Sequence, residues 1–186
     1  MTTGNNTLYF GSEGLAGWEI YAASRMSTFD PFISPQPVSP VNSGNSDFNP
    51  YVLPDGNVMY LTSNRLVGFS AKIFRSEVQG GAFIEPVMVE GLSGGASVTD
   101  TKAVVTPDEL TIYFASDRPD DNAAGLNDIW KATRSSKADP FESVNIVEEL
   151  NSPVLDEPSW ISADGCTLYF QSARTNLRRV YVARKP

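Results

Sequence analysis

One apolar, aromatic phrase recurs four times among polar stretches of this chain: Leu8-Tyr9-Phe10, Met59-Tyr60-Leu61, Ile112-Tyr113-Phe114 and Leu168-Tyr169-Phe170. The central tyrosines lie 51, 53 and 56 residues apart, and a serine follows each by three positions, at Ser12, Ser63, Ser116 and Ser172. Aromatic and β-branched residues with a period of two predict strands. Their return at this interval predicts a stacked or radial array of small antiparallel sheets. Alternation also places the four tyrosines on one face of their sheets, with Phe10, Phe114 and Phe170 on the other.

The third repeat displays the unit most fully. A β-branched stretch over 98–106 precedes the turn Pro107-Asp108-Glu109, and Thr111 to Ser116 forms the second strand. A polar loop over 117–125 leads to a third strand, Asp128 to Thr133, and Val144 to Val147 supplies a fourth. Four strands in about fifty residues is the size of one propeller blade. Asp55, Asp108 and Asp164 each precede their tyrosine by five residues, and Gly56 and Gly165 follow two of them, as a tight hairpin turn favours. Glu109 breaks that pattern and predicts a different turn there.

The expected fold is therefore all-β: a β-propeller of about four blades, at roughly 1–45, 46–95, 96–151 and 152–186, the first and last incomplete. In the first repeat Gly4-Asn5 occupies the turn position, leaving Met1 to Thr3 as a first strand, and Val180 to Ala183 is the third strand of the last. A count of 3 + 4 + 4 + 3 strands leaves open blade edges, which favour association. A homodimer closing a ring of about eight blades is one outcome. A four-blade ring with a gap is the alternative.

Composition narrows the function classes. Apolar residues at 41% and charged residues at 19% of 186 fit a folded chain. No run of 18 apolar residues provides a membrane span, and Met1-Thr2-Thr3-Gly4 lacks the basic-then-apolar pattern of a secretion signal. Histidine is absent, which removes Ser-His-Asp and Cys-His nucleophile systems and the usual zinc sites. The single cysteine, Cys166, cannot form an internal disulfide, and after a turn without an activating histidine it reads as a small buried residue. A net charge of -8 argues against a nucleic-acid partner. The stretch from Arg174 through Arg178, Arg179 and Arg184 to Lys185 is the local basic exception.

The run from Asp156-Glu157-Pro158 through Asp164-Gly165 and Leu168-Tyr169-Phe170 to Ser172-Ala173-Arg174 resembles the TolB-type, WD-like β-propeller repeat, as does Tyr113-Phe114-Ala115-Ser116-Asp117-Arg118 with Asn127-Asp128-Ile129-Trp130. The likeness covers nearly the whole chain in four copies. Thr101-Lys102-Ala103 departs from it by lacking the proline, and Gly14 stands where the first repeat would carry its arginine. Asp128-Ile129-Trp130 followed by Leu150-Asn151-Ser152 is similar to envelope-associated bacterial propellers. The resemblance implies a binding platform with no conserved catalytic group, a protein partner, and a periplasmic or envelope location.

Several residue sets carry candidate chemistry. Arg65, Arg118 and Arg174 fit an arginine cluster gripping a carboxylate; their repeat spacing favours three local braces, each with its serine. Asp117, Asp120, Asp121 and Asp128, with Asn122 and Asn127, gather oxygen ligands in a calcium-candidate loop without EF-hand spacing. No other cofactor is implied. Glycoside hydrolysis needs two carboxylates across a pocket, and Asp156 and Glu157 are candidates. Trp130 and Trp160 read as core aromatics of their strands, while Trp18 lies in a Gly-rich stretch and could stack a sugar. Three functions follow in order: a non-catalytic interaction module, a glycan- or small-ligand-binding propeller, and a calcium-dependent lactonase or glycosidase.

Overall fold

The computed structural model describes residues 6–14, 17–120, 123 and 126–185, and within them the chain is almost entirely β. Four antiparallel sheets follow one another along the sequence. Sheet one is β1 (Thr7–Gly14), β2 (Gly17–Ser24) and β3 (Ile33–Pro37). Sheet two is β4 (Asp47–Val52), β5 (Val58–Ser63) and β6 (Lys72–Gln79), extended by the short β7 (Ala82–Phe83) and β8 (Val87–Met88), both on β6. Sheet three orders β9 (Asp100–Val105), β10 (Thr111–Ser116), β11 (Asp128–Thr133) and β12 (Glu142–Ile146). A 3-10 turn (Glu148–Leu150) leads into sheet four: β13 (Asp156–Ile161), β14 (Thr167–Ser172) and β15 (Arg179–Arg184). The expected first strand at Met1 to Thr3 lies outside the described residues.

The four tyrosines are each the third residue of an equivalent strand, β1, β5, β10 and β14. Their faces all turn the same way, toward the next sheet. Tyr9 packs with Met59, Leu61 and Phe74 of sheet two. Tyr60 packs with Ile112 and Phe114 of sheet three, and Tyr113 with Leu168 and Phe170 of sheet four. One strand thus supplies a tyrosine to the interface ahead and a leucine or phenylalanine to the one behind, and the period of two makes the sheets stack. β4 lies against β1 and β9, and β9 against β13, so the first strands gather on one axis.

Among the described residues, sheet four shows the same face without a neighbouring sheet. On sheet four Trp160 and Tyr169 pack edge to face at 5.7 Å, yet are 47% and 39% exposed, beside the exposed Val180 and Val182. Trp160 is therefore not the core residue that its strand position suggests: its face looks away from sheet three. Trp130 is buried.

The strand-one to strand-two turns are alike in sheets two, three and four. Asp55, Asp108 and Asp164 each accept a backbone N–H two residues on, at 3.0, 3.0 and 2.9 Å. Gly56, Glu109 and Gly165 have φ of 79°, 57° and 67°. Glu109 thus makes the same turn as the glycines rather than a different one. The left-handed backbone that glycine adopts freely is strained for glutamate, and buried side-chain bonds described below hold it there. Cys166, next to Gly165, is exposed rather than buried, because the turn carries it into solvent.

Candidate functional site

Sheets two, three and four each carry an arginine clamp at the end where the inter-sheet linkers run. The Nε of Arg65, Arg118 and Arg174 donates to the Oγ of Ser63, Ser116 and Ser172 at 2.9, 3.0 and 2.8 Å. Nη2 of the same arginines reaches Asp47, Asp100 and Asp156 at 2.7, 2.6 and 2.8 Å. It also donates to the linker carbonyls of Val41, Leu92 and Leu150. The aspartates are buried, and their second oxygens are engaged too. Ser43 and Ser152 each donate N–H and Oγ–H to Asp47 and Asp156, while in sheet three Lys72 and the Gly94 N–H take that place at Asp100. The three arginines do not converge on a shared ligand; each stitches one strand one, one strand two and one linker. Among the described residues sheet one has no clamp at Ser12: Gly14 stands at the arginine position, and a Cβ there would meet the Glu19 carboxylate.

A second stitch joins neighbouring sheets. Ile20 N–H donates to Asn42 Oδ1 at 2.7 Å and Asn42 Nδ2 returns to Ile20 O at 2.9 Å. Ile129 and Asn151 repeat this pair at 2.7 and 3.1 Å. These two linkers are thereby fixed to β2 and β11 of the sheets before them, which sets where the next strand one begins.

Between the strand-one ends opens a cavity of about 710 Å³ bordered by all four sheets, with Gly11 and Trp18, Asn49 and Asn64, Lys102, and Glu157 with Arg178 among its walls. Bulges aim two of these groups. In β4, Phe48 opposes Thr62 and Tyr51 opposes Tyr60; in β9, Thr101 opposes Ala115 and Val104 opposes Tyr113. Two residues thus face one in each, and the first of each pair, Asn49 and Lys102, has φ near 52° and 53°. Lys102 Nζ meets Glu157 Oε2 at 2.5 Å, and Arg178 Nη1 stands 3.7 Å from the same oxygen. Asn127 Nδ2 reaches Glu157 Oε1 at 3.5 Å. Trp18, 49% exposed, stands at the rim beside Gly11 and Phe48.

This mouth holds two cations against one carboxylate. Asp156, the other hydrolytic candidate, turns into its clamp, so the pair does not face across the cavity. A general acid and a second carboxylate on opposite sides of a bond are not assembled among the lining residues. Sequence reasoning noted Arg178 only as part of a basic stretch and Lys102 only as a departure from the repeat, and it did not single out Asn49. No local signal marks Lys102: the bulge that aims it recurs in β4 and β13, where proline is present.

The calcium-candidate loop is described only in part. Asp117 Oδ1 accepts Thr99 N–H at 2.6 Å, Asp128 lies in β11 opposite Ser116, and Asp120 begins a bend over Ala123. Asp121 and Asn122 lie outside the described residues. Among the described residues no group of three or more His, Cys, Asp or Glu forms a metal-holding cluster. No chemistry is drawn from a calcium ion here.

Away from the mouth, the buried Glu109 side chain is 1% exposed and forms a charged hub between sheets two and three. It accepts from Tyr60 Oη at 2.8 Å and Arg75 Nε at 2.7 Å, with Lys137 Nζ at 3.1 Å and Arg134 Nη2 at 3.6 Å. Burial by itself raises its pKa, but the bonds from Arg75, Tyr60 and Lys137 outweigh this and draw it down to about 2. Burial pushes the Tyr60 hydroxyl up, and the Glu109 charge adds to that.

No protein-family model matches this chain, and no curated protein matches it either. Among solved structures it is similar to TolB from Acinetobacter baumannii, with 14% identity and a TM-score of 0.60 over 97% of this chain and 39% of that one. A putative TolB from Agrobacterium tumefaciens matches at 20% identity and 0.56, over 96% of this chain and 54% of its own. A thermostable family-43 glycoside hydrolase matches at 18% and 0.61, over 97% and 68%. The chain spans less than two thirds of either TolB chain. Proteins named TolB and a glycoside hydrolase share this scaffold, so the likeness carries the fold alone. No helix among the described residues is long and apolar enough to cross a membrane. The four stacked sheets are an array of β-propeller blades.

Proposed function

We propose that this chain is a non-catalytic binding module of the bacterial cell envelope, whose axial mouth receives an acidic or polar segment of a protein partner. The observation that carries this reading is the convergence of Lys102, Arg178, Asn49 and Asn64 from three sheets on one open cavity. Its one carboxylate, Glu157, is already ion-paired, which leaves a net positive charge to meet an acidic partner. The half-exposed Trp18 supplies the large aromatic anchor that protein interfaces favour. The envelope location rests on the repeat resemblance.

The test is capture of a partner from an envelope fraction by the wild-type chain, compared with Lys102→Glu and Trp18→Ala. Trp18→Ala should keep the wild-type melting temperature, Lys102→Glu should lower it by setting a second carboxylate against Glu157, and both should lose the partner. Equal capture by all three would reject the mouth as the binding face. Trp18 beside Asn49 and Asn64 also favours a second reading, a glycan stacked on the indole. Saturable glycan-array binding that Trp18→Ala abolishes would select it.

A further inference from the structure

The three sheet-to-sheet interfaces repeat one arrangement with different residues. Behind each tyrosine stands its cross-strand partner: Ala22 for Tyr9, Arg75 for Tyr60 and Lys131 for Tyr113. The next sheet contributes its turn residue, which is Gly56, Glu109 and Gly165 in turn. It also contributes the residue whose N–H closes the hairpin: Val78 to Asn57 O, Arg134 to Leu110 O and Lys185 to Cys166 O.

The first interface therefore has neither cation nor carboxylate at these places, and Tyr9 packs on Phe83 instead. The second has both, Arg75 and Arg134 closing on Glu109. The third keeps the tyrosine and both cations but has glycine where the carboxylate belongs. A cavity of about 260 Å³ occupies that place, with Tyr113, Gly165, Arg184 and Lys185 at its polar side and Ile161 and Leu168 at its apolar side. A Cβ built on Gly165 would lie 3.9 Å from Lys185 Nζ, within reach of the missing group. Lys131 Nζ stands over the Tyr113 ring at 5.9 Å, and the Tyr113 hydroxyl has no hydrogen-bond partner among the described residues.

From this we infer that the cavity between sheets three and four binds a small organic acid, its carboxylate taking the place that Glu109 fills one interface earlier. Tyr113 and Lys185 hold the carboxylate, Arg184 at the wall adds charge, Lys131 stands outside the lining against the Tyr113 ring, and the aliphatic wall takes a short apolar tail. Charged hydrogen bonds in a partly apolar pocket are the strong ones. Glu149 lines the same cavity, and its charge helps burial raise the Tyr113 phenol. It pairs with none of these cations among the described residues, so it opposes the incoming acid. This site is separate from the axial mouth, and either can fail alone.

Phenylacetate is the probe, titrated into isotope-labelled protein while amide shifts are followed by NMR. The uncharged phenylacetamide and the tripeptide Gly-Gly-Phe serve as comparisons. Phenylacetate should shift the amides of Gly165, Cys166 and Leu168 saturably and bind roughly tenfold or more tightly than the amide. The tripeptide binding as well as phenylacetate would assign the source to a peptide C-terminus; its failure assigns a free acid. Lys185→Met should weaken binding roughly tenfold, Glu149→Gln should tighten it, and Gly165→Glu, which installs the carboxylate of the neighbouring interface, should abolish it. No saturable shift with phenylacetate, or binding unchanged by Lys185→Met, overturns the inference. If Gly165→Glu does not fold, the result with Lys185→Met decides alone.

Discussion

Replacing Glu109 by glutamine keeps its volume and the left-handed backbone while removing its charge. The carboxyl drops from its ordinary 4.5 to about 2 in the folded chain. At about 1.4 kcal/mol per unit this is roughly 3 kcal/mol. Arg75 is 24% and Lys137 59% exposed, so solvent screening trims it to about 2 kcal/mol. The folded value lies below the unfolded one, so this stability is fully present above about pH 4.5 and is lost as pH falls toward about 2. Urea unfolding of wild type and Glu109→Gln should therefore differ by about 2 kcal/mol at pH 7, and the difference should shrink below pH 4.5. A difference under about 0.5 kcal/mol at pH 7, or one that does not change with pH, refutes the hub. Glu109→Gly separates backbone from charge. It relieves the strain at φ 57°, which is about 1 kcal/mol, so it should cost less than glutamine does.

Arg118→Ala leaves the buried Asp100 and the Leu92 carbonyl short of a donor, and should cost about 2–4 kcal/mol by thermal or urea unfolding while any ligand affinity stays intact. Lost binding at unchanged stability would overturn the bracing role. Arg174→Ala should cost less, because that clamp is 30% exposed at the arginine. The bare face of Trp160, Tyr169, Val180 and Val182 should associate with the unpartnered face of sheet one in a second copy. Light scattering should then give a mass that rises with concentration and returns to monomer in Val182→Lys; a constant monomer mass in the wild type refutes it.

The resemblance and the period make the propeller array legible in the sequence. The turn residues and the Ser-x-Arg phrases occupy equivalent places in successive sheets, since strand pleat and hairpin geometry are local. The mouth is far less legible. Lys102 and Glu157 lie 55 residues apart and meet only once sheets three and four stack. Tyr60 and Glu109 are separated by 49 residues, and the sequence offers just one anomaly, a glutamate at a glycine position. Trp160 reads as core and is half-exposed, because alternation assigns a face but does not say whether another sheet covers it.

The sequence by itself determined the period, the strand faces and the turn positions, because side-chain alternation and left-handed turn residues depend on near neighbours alone. Tertiary structure decided which faces are covered, where the bulges aim Asn49 and Lys102, and how Glu109 can be buried as an anion. Those outcomes depend on charge and packing between segments brought together from distant parts of the chain, and no local pattern encodes their distances.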